Sequence, residues 1–264
     1  MKRACLLLRR SHYTRCQQFA AGFRRLGFEV TDDPRQPRAG DALAMWNRFP
    51  RHEQAAREYE RAGATVIVAE NGWVGKIDDC KPIALARGHH NGAGWWPVGE
   101  EDRWPRCGIE LAPWRESGEH VLVLPQRGFG EPGVAMPGGW QAGALARLRR
   151  ATKRPLVVRD HPGAHDARDP DFTGAWAVVI WGSGAGIKAL AAGIPVCFDM
   201  PNWIGADAAS MGVDEIETPR LEDRPMGRPG VDPRVAMFRR LAWAQWSPIE
   251  IATGEPLARL LVTQ

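Results

Sequence analysis

Strand-like and helix-like segments alternate along most of this chain, and this order constrains the fold more than any other feature. In the first half, the apolar segments CLLLR, FEVTDD, DALAMW and ATVIVAE are predicted to be strands. The residues Thr14 to Leu26 and Arg51 to Arg61 have helical periodicity, and Gly27 and Gly63 end these two helices. Such an order predicts a largely parallel sheet with helices on its faces.

A second alternation follows residues 71–118, a stretch rich in Gly, Pro and Trp that has no clear periodicity. The predicted strands are HVLVLPQ, RPLVVRD, WAVVIWG and IPVCFDM, and the predicted helices are Trp140 to Arg150, Ile187 to Ala192, Pro233 to Gln245 and Pro248 to Leu261. We therefore predict an α/β fold with two domains. Residues 1–118 form a domain with a long functional loop, and residues 119–264 form a second domain whose terminal helices pack back.

Composition excludes several classes of protein. No apolar run approaches the roughly 20 residues needed to span a bilayer, and the apolar core Cys5 to Leu8 is too short for a signal peptide. The five cysteines are odd in number and form no CxxC pair, so neither a disulfide framework nor a zinc site is expected. We expect a cytoplasmic protein without a membrane span, in which Cys5 and Cys197 are inert core thiols.

The most informative segment is the turn Trp181-Gly182-Ser183-Gly184-Ala185-Gly186, which connects a predicted buried strand to a helix. Small residues at a helix start allow a phosphate to approach the backbone N–H groups, and Ser183 can cap the helix. The turn has neither the Walker pattern nor the GxGxxG pattern. A tight turn that binds no ligand is the alternative interpretation.

Polar side chains also follow two other predicted strands of the second half. Gln126 and Arg127 end HVLVLPQ, and Arg159 and His161 lie in VVRDHPG. Because ligands of open α/β sheets bind at the carboxyl ends of the strands, these residues and the turn at Ser183 are expected to form one site. Arginine is suited to neutralise a diphosphate, and histidine can donate to a phosphate oxygen. Solvated strand ends are the alternative.

The first half offers candidates for proton transfer. Glu70 ends the strand ATVIVAE, where a carboxylate can act as a general base, although it could equally be a turn residue. His89, His90 and Asn91 form a second candidate site, with His90 for proton transfer and His89 and Asn91 for acceptor binding. Because adjacent histidines in an extended chain face opposite ways, at most one is expected to matter.

The second half resembles the C-terminal lobe of GT-B-type glycosyltransferases. The resemblance is carried by RDHPG (Arg159 to Gly163) and WGSGAGIKALAAGIPVCF (Trp181 to Phe198), and it covers roughly residues 119–200. It implies two facing Rossmann-like lobes with parallel sheets and a nucleotide-sugar donor, UDP-linked, held by Gln126, Arg127, Arg159, His161 and Ser183 to Gly186. No cofactor or metal is expected, since no DxD tripeptide is present. Lys188 departs from the family, which has a ribose-binding glutamate near this position.

A broader resemblance to tailed-phage and prophage proteins covers most of the chain. It is carried by AENGWVGK, GIELAPWRESG, LPQRGFG and LAWAQWSPIEIATG. It suggests a hydroxylated base in duplex DNA as the acceptor, by analogy only. Trp73, Trp95 or Trp96 could hold an extruded base, and the arginines Arg48, Arg51 and Arg103 could grip phosphates. A polysaccharide or small-molecule acceptor, and a non-catalytic protein that binds nucleotide or DNA, are the alternatives.

Overall fold

The computed structural model describes residues 1–8, 13–90, 92–128, 130, 133–161, 169–218 and 232–262. The chain divides into two compact units. The first comprises Met1–Gly108 together with Arg239–Gln264, and the second comprises Ile109–Phe238. The predicted boundary after residue 118 thus lies inside the second unit, and the end of the chain belongs to the first unit. Each unit is built on one β-sheet, which confirms the α/β class.

The first unit contains a six-stranded sheet in the order β11-β5-β4-β3-β1-β2. Its strands are β1 (Arg3–Leu7), β2 (Glu29–Thr31), β3 (Ala42–Trp46), β4 (Thr65–Asn71), β5 (Ile83–Arg87) and β11 (Gln245–Trp246). Its helices are α1 (Tyr13–Arg25), α2 (Pro50–Arg61), α6 (Pro248–Thr253) and α7 (Glu255–Leu261). Strands β1 to β4 pair in parallel, as the βαβα order predicts.

The other two strands of this sheet correct the sequence prediction. β5 pairs antiparallel with β4, and β11 pairs antiparallel with β5, so the sheet is mixed rather than parallel. β5 lies inside the stretch 71–118 that was predicted to be irregular. Its five residues are too few to show periodicity between the Gly- and Pro-rich segments on both sides. β11 was predicted to be the end of a helix, which stops at Ala242 instead.

Helix packing in the first unit explains where its terminal segments lie. α6 packs on α1, and an added Cβ at Gly22 of α1 would lie 2.3 Å from the carbonyl oxygen of Ile251. Only glycine permits so close an approach of the two helices. Gly254, with φ +86°, ends α6 and starts α7, so the predicted single terminal helix is two helices. Ser247 and Glu250 form a capping box at the start of α6.

The second unit contains a five-stranded, fully parallel sheet in the order β10-β9-β8-β6-β7. Its strands are β6 (His120–Leu124), β7 (Leu156–Val158), β8 (Ala175–Ile180), β9 (Val196–Phe198) and β10 (Ser210–Met211). Its helices are α3 (Trp140–Ala151) and α4 (Gly184–Ala191), and α5 (Pro233–Ala242) begins in this unit and ends in the first. β8 is buried at every residue because both faces of the sheet are covered there.

The strand order of the second unit creates a topological switch point. The chain passes from β6 to β7 on one side and then crosses to β8 on the other side of β6. The order in which the chain adds strands therefore reverses between β6 and β8, and their carboxyl ends flank this point. A crevice at such a switch point is the usual ligand site in open α/β sheets.

Candidate functional site

The carboxyl edge of the second sheet gathers the residues predicted to bind the donor. β6, β7 and β8 run parallel in adjacent positions, and Gln126 and Arg127, Arg159 and His161, and Ser183 follow them. The predicted convergence of three strand ends is thus present in the fold. Of the carrying segment RDHPG, Pro162 and Gly163 lie outside the described residues.

Gln126 joins the two sides of the switch point. Its Oε1 accepts a hydrogen bond of 3.0 Å from the backbone N–H of Gly182, so the amide ties the end of β6 to the end of β8. This contact uses one of the backbone donors expected to face a phosphate. The structure therefore gives Gln126 a positioning contact within the turn rather than an open side chain.

Arg127, Arg159 and His161 form a positively charged group at the ends of β6 and β7. The backbone N–H of Arg159 donates to Val123 O over 3.0 Å and continues the β6–β7 ladder. Partial desolvation, followed by the positive charges of Arg127 and Arg159, lowers the pKa of His161. Both guanidinium groups are therefore near enough to the imidazole to act on its charge. The arrangement favours an anionic ligand, which would relieve the repulsion.

Ser183 caps α4, as the sequence predicted. Its Oγ accepts a hydrogen bond of 3.1 Å from Ala185 N, and the helix starts at Gly184 rather than at Ile187. Ser183, Gly184 and Ala185 are partly exposed, so the positive end of the helix dipole can reach a ligand. The cap makes α4 one turn longer than its apolar pattern indicates.

The two flanking glycines of the turn serve packing. An added Cβ at Gly182 would lie 2.6 Å from Met200 Sδ, and one at Gly186 would lie 2.5 Å from Ile180 Cδ1 and 2.7 Å from Trp203 Cζ2. Gly186 is buried, so it holds α4 against β8 instead of facing a phosphate. Packing thus accounts for these glycines independently of any ligand.

Asp199 is a carboxylate at this edge that sequence reasoning did not identify. It follows β9, accepts a hydrogen bond of 2.6 Å from Trp140 Nε1, and pairs with Arg147 of α3. Its position at the carboxyl end of the predicted strand IPVCFDM is the sequence feature that could have identified it. Lys188, which departs from the resembled family, pairs with Asp169.

In the first unit, Glu70 ends β4, and His90 follows the antiparallel strand β5. Glu70 is at the carboxyl end of β4 and, by strand alternation with the core residues Val66 and Val68, points to the α2 face. β5 runs back along β4, so that Gly88 N donates to Val66 O and the histidines follow from there. The ring of His90 nevertheless lies beside Arg48, just beyond the carboxyl end of β3. The sequence could not show this because β5 was not predicted.

His90 is also buried, with 5% of its surface exposed. Burial, with smaller effects from the charges of His89 and Arg48, lowers the pKa of His90 to about 4. Its Nδ1 accepts from the backbone N–H of Arg48 over 3.4 Å, and its ring stacks on His89 at 6.1 Å. A buried neutral imidazole of this kind suits a structural contact. Asn91 lies outside the described residues.

Arg48 and Arg103 are not surface arginines, contrary to the sequence prediction. The guanidinium of Arg48 bonds Glu53 and Glu60 of α2 and the carbonyl of Gly88, with 3% of the residue exposed. Arg103 is 5% exposed, bonds Glu250 at 3.0 Å and lies 3.8 Å from the ring of Trp246. Arg103 is held by a carboxylate 147 residues away, whereas Arg48 is held by two carboxylates of the next helix and by the carbonyl of Gly88, 40 residues away.

The tryptophans predicted to hold an extruded base are largely buried. Trp73 and Trp96 are 6% and 9% exposed, and their rings lie 6.4 Å apart. The backbone N–H of Trp73 donates to Gln245 Oε1 over 2.6 Å. Trp95 is partly exposed, but its backbone N–H and C=O groups both form hydrogen bonds with the backbone of Arg87. Stacking on Trp73 or Trp96 would therefore require the first unit to open.

One contact at the switch point of the first unit was not predicted. In the first sheet the order in which the chain adds strands reverses between β1 and β3. Trp46 ends β3 and therefore lies at this switch point. The guanidinium of Arg15, in the first turn of α1, lies 3.6 Å from the centre of the Trp46 ring. Asn47 follows with φ +55°, so the chain turns sharply at this point. Arg15 is thus a cation that the fold places at this switch point.

The described residues also bear on metal binding, on the cysteines and on a membrane span. Within the described ranges, no group of three or more His, Cys, Asp or Glu side chains could hold a metal ion. Burial raises the pKa of Cys5 to about 11 and that of Cys197 to about 12, as expected for core thiols. None of the helices in the described part of the chain is long and apolar enough to cross a membrane.

Solved structures share this fold, and two of them are KpsC transferases. No family model matches the chain, and the comparison with curated proteins found no match. The β-Kdo 2,7-transferase of Thermosulfurimonas dismutans KpsC is 14% identical with a TM-score of 0.50, covering 91% of this chain and 99% of its own. The β-Kdo 2,4-transferase of KpsC is 13% identical with a TM-score of 0.50, covering 92% and 89%. At this identity the likeness shows the fold, an α/β chain with two Rossmann-like units.

Proposed function

We propose that this protein is a glycosyltransferase that takes its sugar from a nucleotide-sugar and binds the donor diphosphate at the carboxyl edge of the second unit. The observation that carries the proposal is the convergence of Arg127, Arg159 and His161 beside the capped start of α4. These groups lie next to the switch point, where open α/β sheets bind ligands. The transferase fold of the two KpsC structures supports the same reading.

Electrostatics explain how such a site would act without a metal. Negative charge grows on the diphosphate as the glycosidic bond breaks, and prearranged positive groups stabilise that charge. Arg127 and Arg159 provide two permanent cations, and the N–H groups at the start of α4 add the positive end of a helix dipole. His161 can gain a proton when the anion arrives, because the anion offsets the two arginines.

Glu70 is our candidate for the base that takes the proton of the acceptor hydroxyl. It lies at the carboxyl edge of the first sheet and is partly exposed. A carboxylate in this position has both solvent access and a fixed backbone. His90 is a weaker candidate, because it is buried and its pKa is lowered to about 4.

We place the acceptor hydroxyl on a glycan. The two KpsC structures are named as sugar transferases, which favours a carbohydrate acceptor. A hydroxylated base in duplex DNA loses part of its support, since Arg48 and Arg103 are engaged in internal ion pairs and cannot grip phosphates. Trp73 and Trp96 are likewise buried and do not offer a base a stacking surface.

The donor assignment is tested by calorimetry and by hydrolysis of a panel of nucleotide-sugars. Arg127→Ala and Arg159→Ala should each weaken nucleoside-diphosphate binding by about 1.5–3 kcal/mol, the range for hydrogen bonds to charged groups. Arg149→Ala, at an exposed arginine near the end of α3, is the matched control and should bind normally. Normal binding by both site variants, with unchanged unfolding transitions, would show that the diphosphate does not bind at this edge.

The acceptor is tested separately, with the nucleotide-sugar that the protein hydrolyses. Oligosaccharides and duplex DNA carrying hydroxymethylated bases are offered in parallel, and transfer is followed by mass spectrometry. We expect transfer to oligosaccharides and none to DNA. Transfer to modified DNA alone, with binding that falls steeply with salt, would reverse the assignment.

A further inference from the structure

The second unit has a groove at the amino edge of its sheet, at the other end of the strands from the candidate donor site. The groove has a volume of about 590 Å³, within the range of pockets that hold small ligands. Its walls come from residues that precede β6 and β7, from the end of α3 and from a distant loop. The polar residues among them are Glu119, Arg150, Thr152, Lys153, Arg154 and Glu217.

One side of the groove is a fixed ion pair. Arg154 Nε lies 3.3 Å from Glu217 Oε2, and Thr152 Oγ1 donates to the same carboxylate. Arg154 also donates to Gly118 O, and its guanidinium lies 4.6 Å from the centre of the Trp176 ring. The charges of Arg154 and Glu217 thus offset one another and form part of the wall.

Two cations of the groove have no such partner among the residues that the structure describes. Arg150 and Lys153 are exposed, and none of the ion pairs within the described part of the chain involves them. Cations are favourable at the end of α3 because of the helix dipole. Arg149, also exposed, satisfies that preference without lining the groove. The dipole alone therefore does not explain why two further cations line this cavity.

We infer that this groove binds an acidic glycan, as a second contact for the glycan acceptor or product of the proposed transferase. Carboxylates of such a chain would pair with Arg150 and Lys153, and its hydroxyls would donate to Glu119 and Glu217. This extension rests on the proposed function for its biological meaning, but the binding itself is independent of catalysis.

The mixed charges of the groove distinguish a glycan from nucleic acid. Duplex DNA carries one negative charge per roughly 1.7 Å, so its backbone would meet both carboxylates as well as the cations. A glycan has sparse charges between many hydroxyl groups, which carboxylates accept well. Among the described lining residues there is also no aromatic ring on which a base could stack.

The position of the groove sets the length of the ligand. The groove and the candidate donor site lie at opposite ends of β6, which with its flanking residues spans roughly 20 Å at about 3.3 Å per residue. A monosaccharide cannot touch both sites. The groove should therefore affect long glycans and leave short acceptors unchanged.

The test uses the whole protein and three probes: an oligogalacturonate, a neutral dextran of equal length and a short duplex DNA. We expect the oligogalacturonate to bind, and Arg150→Gln with Lys153→Gln to weaken it by at least about fivefold, as for two exposed charge contacts. Arg149→Gln, adjacent on the same helix but outside the groove, should bind as the wild type does. Nucleotide-sugar hydrolysis should be the same in all three proteins.

Three results would overturn the inference. Equal weakening by Arg149→Gln would show a diffuse attraction to the end of α3 instead of a site. No binding of oligogalacturonate, or stronger groove-dependent binding of DNA, would rule out an acidic glycan as the ligand of the groove. Failure of the proposed function has a different signature, because the protein would then hydrolyse no nucleotide-sugar whether or not the groove binds its probe.

Discussion

Replacing Arg48 with Met tests whether this arginine stabilises the fold or faces an acceptor. In the structure its guanidinium bonds Glu53 at 2.8 Å, Glu60 at 2.6 Å and the carbonyl of Gly88 at 2.8 Å. Loss of one partner from a buried charge pair costs about 3–5 kcal/mol. The side chains of Glu53 and Glu60 are 25% and 42% exposed, so water can recover part of this cost.

We therefore expect Arg48→Met to lower the free energy of unfolding by about 2–3 kcal/mol, below the full cost of a buried pair. Urea unfolding followed by tryptophan fluorescence measures this change. Arg51→Met is the matched control, because Arg51 is exposed and surface substitutions stay within about 0.5 kcal/mol. A stability loss below about 1 kcal/mol, together with lost acceptor binding, would refute the structural role of Arg48.

Three further outcomes follow from the structure. Glu70→Gln should keep donor affinity and reduce turnover by roughly 10²–10⁴-fold, and near-native turnover in steady-state assays would reassign the base. Nucleoside-diphosphate affinity should rise as pH falls below neutrality, because the bound anion raises the lowered pKa of His161 and binding takes up a proton. Calorimetry in buffers of different ionisation enthalpy measures that uptake, and His161→Gln should abolish it. Gly186→Ala should destabilise the protein by about 1–3 kcal/mol in thermal unfolding, since the added methyl overlaps Ile180 and Trp203; an unchanged transition would contradict that packing.

The polar carboxyl edge of the second sheet was predictable because its determinants are local. Each strand of the second unit is a short apolar run that ends in polar or small residues, and parallel pairing brings those ends together. Ser183 could be identified as a cap from the residue type and its place before a helix. The packing roles of Gly182 and Gly186 could not, because Met200 and Trp203 approach them from another segment.

The first unit was harder to predict because its contacts join distant parts of the chain. β5 reverses direction beside β4, and His90 after it is buried against Arg48, although it had been assigned to proton transfer. Gln245 reaches back 172 residues to Trp73, and Arg103 reaches forward 147 residues to Glu250. Local sequence patterns do not reveal such pairs, so charged side chains were predicted to lie at the surface.

The sequence by itself determined the α/β class, the parallel order of most strands and the polar strand ends of the second unit. These depend on periodicity and on residue types within short windows, which the chain carries in any context. Only the tertiary structure decided that Arg48 and Arg103 are internal, that β5 and β11 run antiparallel, and that the end of the chain joins the first unit. Burial and ion pairing of a charged side chain depend on partners from other elements, and those partners exist only once the chain has folded.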